Sequence, residues 1–145
     1  MELIQIDTTG HRLVGAIFNE LGHLGPKHHA VVIGQCSQSG EIYLAENNDT
    51  GYQLETATNF KARYADNGEI KLYENDGKKS NLNVAKDALE EVKAGGKGVY
   101  NLITNNCESF VNRAMYNSST SSQVVTTLGV FALVVAGIYL YKKSR

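Results

Sequence analysis

The chain has 145 residues, of which 42% are hydrophobic, and this length allows one domain with a buried core and hardly two. Its formal net charge is −1, but the last four residues carry +3, so residues 1–141 carry −4. A mildly acidic body argues against nucleic acid as a partner. Two cysteines, Cys36 and Cys107, are too few for a disulfide framework and are typical of a reducing compartment.

The first third of the chain contains a short strand candidate at residues 3–6 and a longer apolar stripe. The stripe has helical spacing and is made by Leu13, Val14, Ile17, Phe18, Leu21 and Leu24. It predicts a helix that ends near Gly25 and Pro26. We expect this helix to pack on the domain, with a position on lipid beside the site as the alternative.

A second strand is predicted at residues 29–33, which are mostly apolar and therefore suited to a central position in a sheet. Residues 35–40 form a turn, where Cys36 is interpreted as a bystander. Residues 41–45 form the returning strand of a hairpin.

The middle of the chain carries weaker patterns. Residues 47–51 predict a turn, and residues 52–73 alternate loosely, with the clearest strand at residues 70–73. A helix follows, capped by Ser80 or Asn83 and ended by Gly95 and Gly96; its apolar stripe is Ala85, Ala88, Leu89 and Val92. Residues 99–102 then lead to the cysteine segment. The sequence shows no metal-ligand spacing and no glycine-rich phosphate loop, so we expect no metal and no cofactor.

Cys107 is predicted to lie in the first turn of a helix. Two asparagines precede it and suit a helix cap, and the apolar residues Phe110, Val111, Ala114 and Met115 follow at helical spacing. The positive end of a helix favours the thiolate, which is the attacking form of cysteine. The alternative is that Cys107 is a small buried hydrophobic residue.

A cysteine nucleophile needs an imidazole that takes its proton and later returns it. All four histidines lie in the first 29 residues, and His28 and His29 begin the predicted central strand. Because adjacent residues of a strand point to opposite faces, only one of these two histidines can meet Cys107. The residue pattern alone leaves both open, and His11 and His23 are interpreted as surface or helix residues.

The last third of the chain ends in a predicted transmembrane helix. Residues 124–141 carry no charge, and 18 residues at about 1.5 Å each reach ~27 Å, close to the hydrocarbon thickness of an intracellular membrane. Residues 117–123 form a Ser-rich tether, and residues 142–145 form a basic tail. We expect a single span in an intracellular membrane with the domain facing the cytosol. A buried core helix is the alternative.

Two segments resemble the hallmark blocks of the lecithin retinol acyltransferase-like family: Lys27 His28 His29 Ala30 Val31 Val32 Ile33 Gly34 and Asn105 Asn106 Cys107 Glu108 Ser109 Phe110 Val111 Asn112. The resemblance covers most of residues 1–141 and points to the small tail-anchored members. It implies an α+β domain over residues 1–116, with an antiparallel sheet packed on helices in a permuted papain-like arrangement of the NlpC type.

The resemblance also implies the site. Cys107 matches the nucleophile and His28 matches the catalytic histidine. Tyr43 stands where the family often has a second histidine that orients the first, and Glu46 is the second choice for this role; an ordinary core tyrosine is the alternative. Ser109 replaces the histidine that usually follows the Cys-Glu pair in the family.

The function implied is a membrane-anchored thiol acyltransferase or phospholipase A that acts on glycerophospholipids through an acyl-cysteine intermediate. Its partners would be a phospholipid acyl donor, an amine or lysophospholipid acceptor, and the membrane itself. The alternatives are a catalytically inactive membrane adaptor of the same fold and a cysteine amidase or peptidase.

Overall fold

A computed structural model describes residues 1–19, 25–48, 50–95 and 106–117. The strands are β1 (Leu3–Ile4), β2 (Arg12–Ala16), β3 (Lys27–Cys36), β4 (Ile42–Asn48), β5 (Gly51–Thr56) and β6 (Lys71–Tyr73). The helices are α1 (Ala57–Tyr64), α2 (Asn81–Lys93) and α3 (Cys107–Tyr116), and a short 3-10 turn spans Ala65–Asn67.

The described strands form one antiparallel sheet in the order β5-β4-β3-β2-β6. The two-residue β1 pairs with the far end of β3, where Leu3 lies opposite Cys36. The predicted hairpin is present, since β3 pairs with β4 directly after it. An α+β architecture with an antiparallel sheet and helices is therefore confirmed.

Helices pack on both faces of the sheet. Successive side chains of β3 point to opposite faces and meet helices on each of them. On one face, Val31 and Ile33 pack with α2 and α3 around Phe110. On the other face, Ala30 and Val32 pack with Leu44, Leu13 and Phe60 of α1. The long central strand β3 therefore contributes to both apolar cores.

The helix predicted from the stripe that begins at Leu13 is wrong where the structure describes it, because residues 12–16 form strand β2. This strand pairs with β3 on one side and with β6 on the other, and residues 13–16 are buried. A strand buried on both faces reads as a continuous apolar run, so spacing alone does not separate it from a helix. Residues 20–24 lie outside the described residues.

Helix α1 was not anticipated in the loosely alternating residues 52–73. Thr56 caps it by accepting a hydrogen bond from the Asn59 N–H at 3.1 Å, and its only fully buried side chain is Phe60. Gly15 lets this helix approach β2, because a Cβ atom there would lie 2.8 Å from Cβ of Tyr64. The approach brings Phe60 and Tyr64 over the start of β3.

The predicted caps of the two later helices are present. Ser80 caps α2 by accepting from the Asn83 N–H at 3.1 Å, and Gly95 after the helix has φ +77. Helix α3 begins at Cys107, as the sequence pattern predicts, and ends before Asn117, which adopts the left-handed conformation.

Residues 99–102, which lead to the cysteine segment, and the predicted span at residues 124–141 lie outside the described residues. Among the helices that the structure describes, none has the length and apolar character needed to cross a bilayer.

Candidate functional site

Cys107 is the first residue of α3, at the end where the helix presents its unpaired N–H groups. Asn106 precedes it, and its side-chain oxygen accepts a hydrogen bond from the Ser109 N–H at 2.8 Å. The thiol is 6% exposed, and its Sγ lies 3.6 Å from the Lys27 carbonyl oxygen at the start of β3. The cap and the strand together fix where the sulfur lies, at the end of α3 that presents free backbone N–H groups.

His28 is the histidine that meets Cys107. Its side chain lies within reach of the Cys107 side chain, and its Nε2 lies 2.6 Å from Oε2 of Glu46. The rings of Phe60 and Tyr64 cover it, with centroid distances of 5.7 Å and 5.4 Å. Because Nε2 is bonded to Glu46, Nδ1 is the ring nitrogen left for the thiol.

Glu46 is completely buried and is held by three partners. Besides His28, it accepts a hydrogen bond from Gln53 Nε2 at 2.7 Å and bonds from Arg63 Nη2 at 2.8 Å and 2.9 Å. Burial disfavours the carboxylate, but the bonds from His28 and Gln53, with the pairing to Arg63, outweigh burial and lower the pKa of Glu46 to about 2. Glu46 is therefore negatively charged at neutral pH.

The charge on Glu46 changes the proton affinity of His28. Burial disfavours the imidazolium, but the hydrogen bonds with Cys107 and Glu46 outweigh burial and raise the pKa of His28 to about 9. An imidazole with increased proton affinity is a stronger acceptor for the thiol proton. The three side chains thus form a chain of thiol, imidazole and carboxylate.

The structure replaces Tyr43 with Glu46 as the partner of His28. Near His28, Ala30 of β3 pairs with Glu46 of β4. The register then shifts by one residue between Val32 and Gly34, and Gly34 pairs with Tyr43. A shift of one residue exchanges the faces of a strand. Glu46 therefore shares the face of His28, and Tyr43, three residues earlier on regular β4, points to the opposite face.

His29 belongs to the other face of the sheet. Its Nδ1 accepts a hydrogen bond from Arg12 Nη1 at 3.3 Å. Burial, together with the positive charge of Arg12, lowers the pKa of His29 to about 4, so this imidazole is neutral at pH 7. The choice between His28 and His29 that the sequence left open is therefore made by strand alternation.

The other residues considered from sequence lie away from this cluster. Cys36 is at the far end of β3, where its backbone N–H donates to the Glu41 carbonyl at 2.8 Å, and both cysteines are free thiols. His11 precedes β2, and His23 lies outside the described residues. Ser109 is buried in the first turn of α3, with no hydrogen bond to its hydroxyl within the described part of the chain.

Sequence reasoning missed the residues that hold Glu46, namely Gln53 and Arg63, and the rings of α1. One signal was present: a charged residue, Glu46, directly follows the apolar residues 44 and 45. A carboxylate inside an apolar strand needs a buried partner, and His28 on the adjacent strand is one. Within the described ranges, no cluster of metal-ligating side chains is present.

Comparisons of the chain with family models, with curated proteins and with solved structures give no match.

Proposed function

We propose that this protein is a thiol acyltransferase or phospholipase A that acts on glycerophospholipids through an acyl-cysteine intermediate. The observation that carries the proposal is the cluster of Cys107, His28 and Glu46, in which His28 reaches the thiol and its Nε2 lies 2.6 Å from Oε2 of Glu46. A nucleophile within reach of a base, with a third group that orients the base, is the arrangement that activates a thiol.

The reaction proposed has two halves. His28 takes the proton of Cys107, and the sulfur attacks the carbonyl carbon of a lipid ester. A carbon–sulfur bond forms, the bond to the glycerol oxygen breaks, and His28 returns the proton to that oxygen. Water, or the amine or hydroxyl group of an acceptor, then attacks the thioester while His28 takes the acceptor's proton. The carbon–sulfur bond breaks, the acyl group stays on the acceptor, and the sulfur of Cys107 is released.

The start of α3 supports this chemistry. The Cys107 N–H has no acceptor within the helix, since the first N–H groups of any helix lack one, and the helix dipole adds positive potential. Both favour the oxyanion that forms during attack on the ester. Glu46 keeps the imidazolium paired while the proton is held there.

A lipid substrate is favoured over a soluble one by the charge-free residues 124–141. We propose that they anchor the domain to an intracellular membrane, on its cytosolic side, and so raise the effective concentration of lipid at Cys107. The permuted papain-like arrangement is part of the same proposal: the histidine strand β3 precedes the cysteine helix α3 in the chain.

The test is mass spectrometry of the intact full chain after exposure to phosphatidylcholine liposomes. We expect a mass increase equal to one acyl group, localised to Cys107, together with release of lysophospholipid. Cys107→Ala should abolish both products. Cys36→Ala is the matched control and should retain them, because Cys36 lies at the opposite end of β3.

Absence of the adduct and of lysophospholipid from a folded wild-type protein would contradict the proposal and support a non-enzymatic membrane adaptor. An adduct at Cys107 that forms from small amide or peptide substrates but not from phospholipid would support a cysteine amidase instead.

A further inference from the structure

Arg12 of β2 ties together the two elements that carry the proposed nucleophile and the proposed base. Its guanidinium donates to His29 Nδ1 on β3 at 3.3 Å. On α3 it donates to Asn112 Oδ1 and to Met115 Sδ, the latter at 3.8 Å. One side chain therefore binds the strand of the imidazole and the helix of the thiol at the same time.

The side of α3 that faces Arg12 begins directly after the thiol. Glu108, Asn112 and Met115 follow one another at i, i+4 and i+7, so they lie along one side of the helix. Glu108 is 3% exposed, and its carboxylate acts on Arg12 as a counter-charge. Asn112 is five residues from Cys107, which is about 7.5 Å at the rise of a helix. The contact with Arg12 and the sulfur are therefore parts of one short, rigid element.

The charge of Arg12 strengthens its contact with α3. Burial lowers the pKa of Arg12, and the acidic groups of Tyr116, Glu108 and Asp76 act in the opposite direction. A guanidinium nevertheless stays protonated in proteins. Hydrogen bonds from a charged donor are stronger than those between neutral groups, and counter-charges on and beside α3 keep this donor in place.

The start of β3 links the contacts of Arg12 to the proposed base. His28 and His29 are adjacent, so their side chains leave the strand on opposite faces. His28 reaches the thiol, and His29 binds Arg12. Arg12 in turn binds the helix that carries the thiol. These contacts form a closed circuit, which fixes the distance between sulfur and imidazole from both faces of the strand.

We propose that Arg12 is a positioning residue for the proposed reaction: it fixes α3 against the start of β3 and thereby holds the sulfur of Cys107 within reach of His28. The inference rests on the proposed function and adds a residue to it. Arg12 acts through α3 rather than on the reacting atoms. Since a displacement of about 1 Å can lower a rate roughly a hundredfold, a contact outside the reacting groups can have a large effect.

The first test is NMR titration of the His28 ring in full-length variants. Burial opposes the raised pKa of His28, and the contacts with Cys107 and Glu46 produce it. Arg12→Gln should therefore lower the pKa of His28, at most by the fall that Cys107→Ala gives. In a Cys107→Ala background, Arg12→Gln should cause no further change.

The sign of the shift separates positioning from a direct effect of charge. Removal of a cation near an imidazole raises the pKa of the imidazole, because the imidazolium is then repelled less. Loss of the contact with the thiol lowers it. An unchanged or increased pKa of His28 in Arg12→Gln would overturn the inference.

Arg113 provides the matched control, because it is also an arginine that holds α3. Its guanidinium binds Glu91 of α2 at 2.8 Å and the Tyr52 hydroxyl of β5 at 3.2 Å. Arg113→Gln should lower the free energy of unfolding and leave the pKa of His28 unchanged. An equal fall of this pKa in Arg113→Gln and Arg12→Gln would also overturn the inference, since any loosening of α3 would then have the same effect.

Asn112 supplies a second pair of variants, which keeps the inference testable if Arg12→Gln does not fold. Asn112→Asp retains an oxygen acceptor for the guanidinium, and Asn112→Leu removes it at similar size. Asn112→Leu should lower the pKa of His28, whereas Asn112→Asp should not. An unchanged pKa in a folded Asn112→Leu protein would contradict the role given to the contact between Arg12 and α3.

The kinetic test follows lysophospholipid release from phosphatidylcholine. Arg12→Gln should lower kcat about tenfold to a hundredfold and leave KM within about twofold of wild type, because the reacting groups and not the binding of lipid are affected. A higher KM with unchanged kcat would overturn the inference. The titration of His28 needs no substrate, so it decides the role of Arg12 even if wild type forms no acyl adduct.

Discussion

The buried carboxylate of Glu46 shows how single residues determine the chemistry of the site. A charge with no solvent exposure is stable only because His28, Gln53 and Arg63 bind it. Those bonds fix the position of the carboxylate, and the carboxylate in turn fixes the orientation of the imidazole. The proton affinity of His28, the proposed base, therefore depends on a residue that touches neither the sulfur nor the proposed substrate.

Glu46→Gln should lower kcat/KM about tenfold to a hundredfold, because a neutral amide replaces the charge-assisted bond that stabilises the imidazolium. Loss of the negative charge should also lower the pKa of His28 from about 9, which NMR titration of the ring would detect.

Tyr43→Phe is the matched control for Glu46→Gln, since it removes only the hydroxyl of the partner suggested by the sequence. It should leave both the rate and the titration of His28 unchanged. A loss with Tyr43→Phe as large as that with Glu46→Gln would contradict the assignment of Glu46.

The partner of His28 could not be chosen from the sequence because the choice depends on one inserted residue. Without the register shift between Val32 and Gly34, Tyr43 would share the face of His28; with it, Glu46 does. Hydrophobic periodicity locates the two strands of the hairpin but carries no information on a bulge. The position of Cys107 at the start of α3 was predictable because caps and helix periodicity are local signals.

Elements whose ends are set by local side chains were predicted correctly, and elements that depend on contacts with distant parts of the chain were not. Helices α2 and α3 begin at Asn81 and Cys107, where side-chain caps in the sequence place them. Strand β2 was mistaken for a helix because residues 13–16 are buried on both of its faces, so its apolar residues do not alternate with polar ones. Helix α1 was missed because its apolar contacts are few and Gly15, far away in the chain, makes room for it.

Asn106→Ala should lower the free energy of unfolding by about 1 kcal/mol, because the Ser109 N–H loses its cap. It should also slow alkylation of Cys107 by iodoacetamide at pH 7, since the first turn of α3 no longer fixes the sulfur against the start of β3.

Ser80→Ala removes an equivalent cap from α2, which does not carry the thiol. We expect a similar loss of stability from it with no change in the alkylation rate. If both variants slow alkylation equally, the Asn106 cap has no specific effect on Cys107.

For the whole molecule, two adjacent histidines give opposite pH dependences of stability. The pKa of His28 is raised to about 9. The contribution of His28 to the free energy of unfolding is therefore complete below pH 6.5 and is lost as the pH rises toward 9. The pKa of His29 is lowered to about 4, so the unfolded chain gains a proton first and stability falls as the pH drops from 6.5 toward 4. The contribution of Glu46 to the free energy of unfolding is lost as the pH falls from 4.5 to 2, because its pKa is lowered to about 2 in the folded protein.

We therefore expect the free energy of unfolding, measured with urea across pH 4 to 9, to be greatest near pH 6.5, with a fall of about 3 kcal/mol on either side. His29→Gln should flatten the acid side between pH 6.5 and 4 and leave the alkaline side unaltered. An unchanged acid side in this variant would show that His29 is not the group that titrates.

Strand β3 is paired along both of its edges, by β2 and β1 on one side and by β4 on the other. Its amide protons should consequently exchange with deuterium only when the entire domain opens, whereas those of the exposed three-residue β6 should exchange through local fraying. Native-state exchange in increasing urea should give residues 30–32 the opening free energy of global unfolding. The proposed base at the start of this strand would then lose its geometry only when the fold itself is lost, so heat or denaturant should abolish the proposed activity and cooperative structure together.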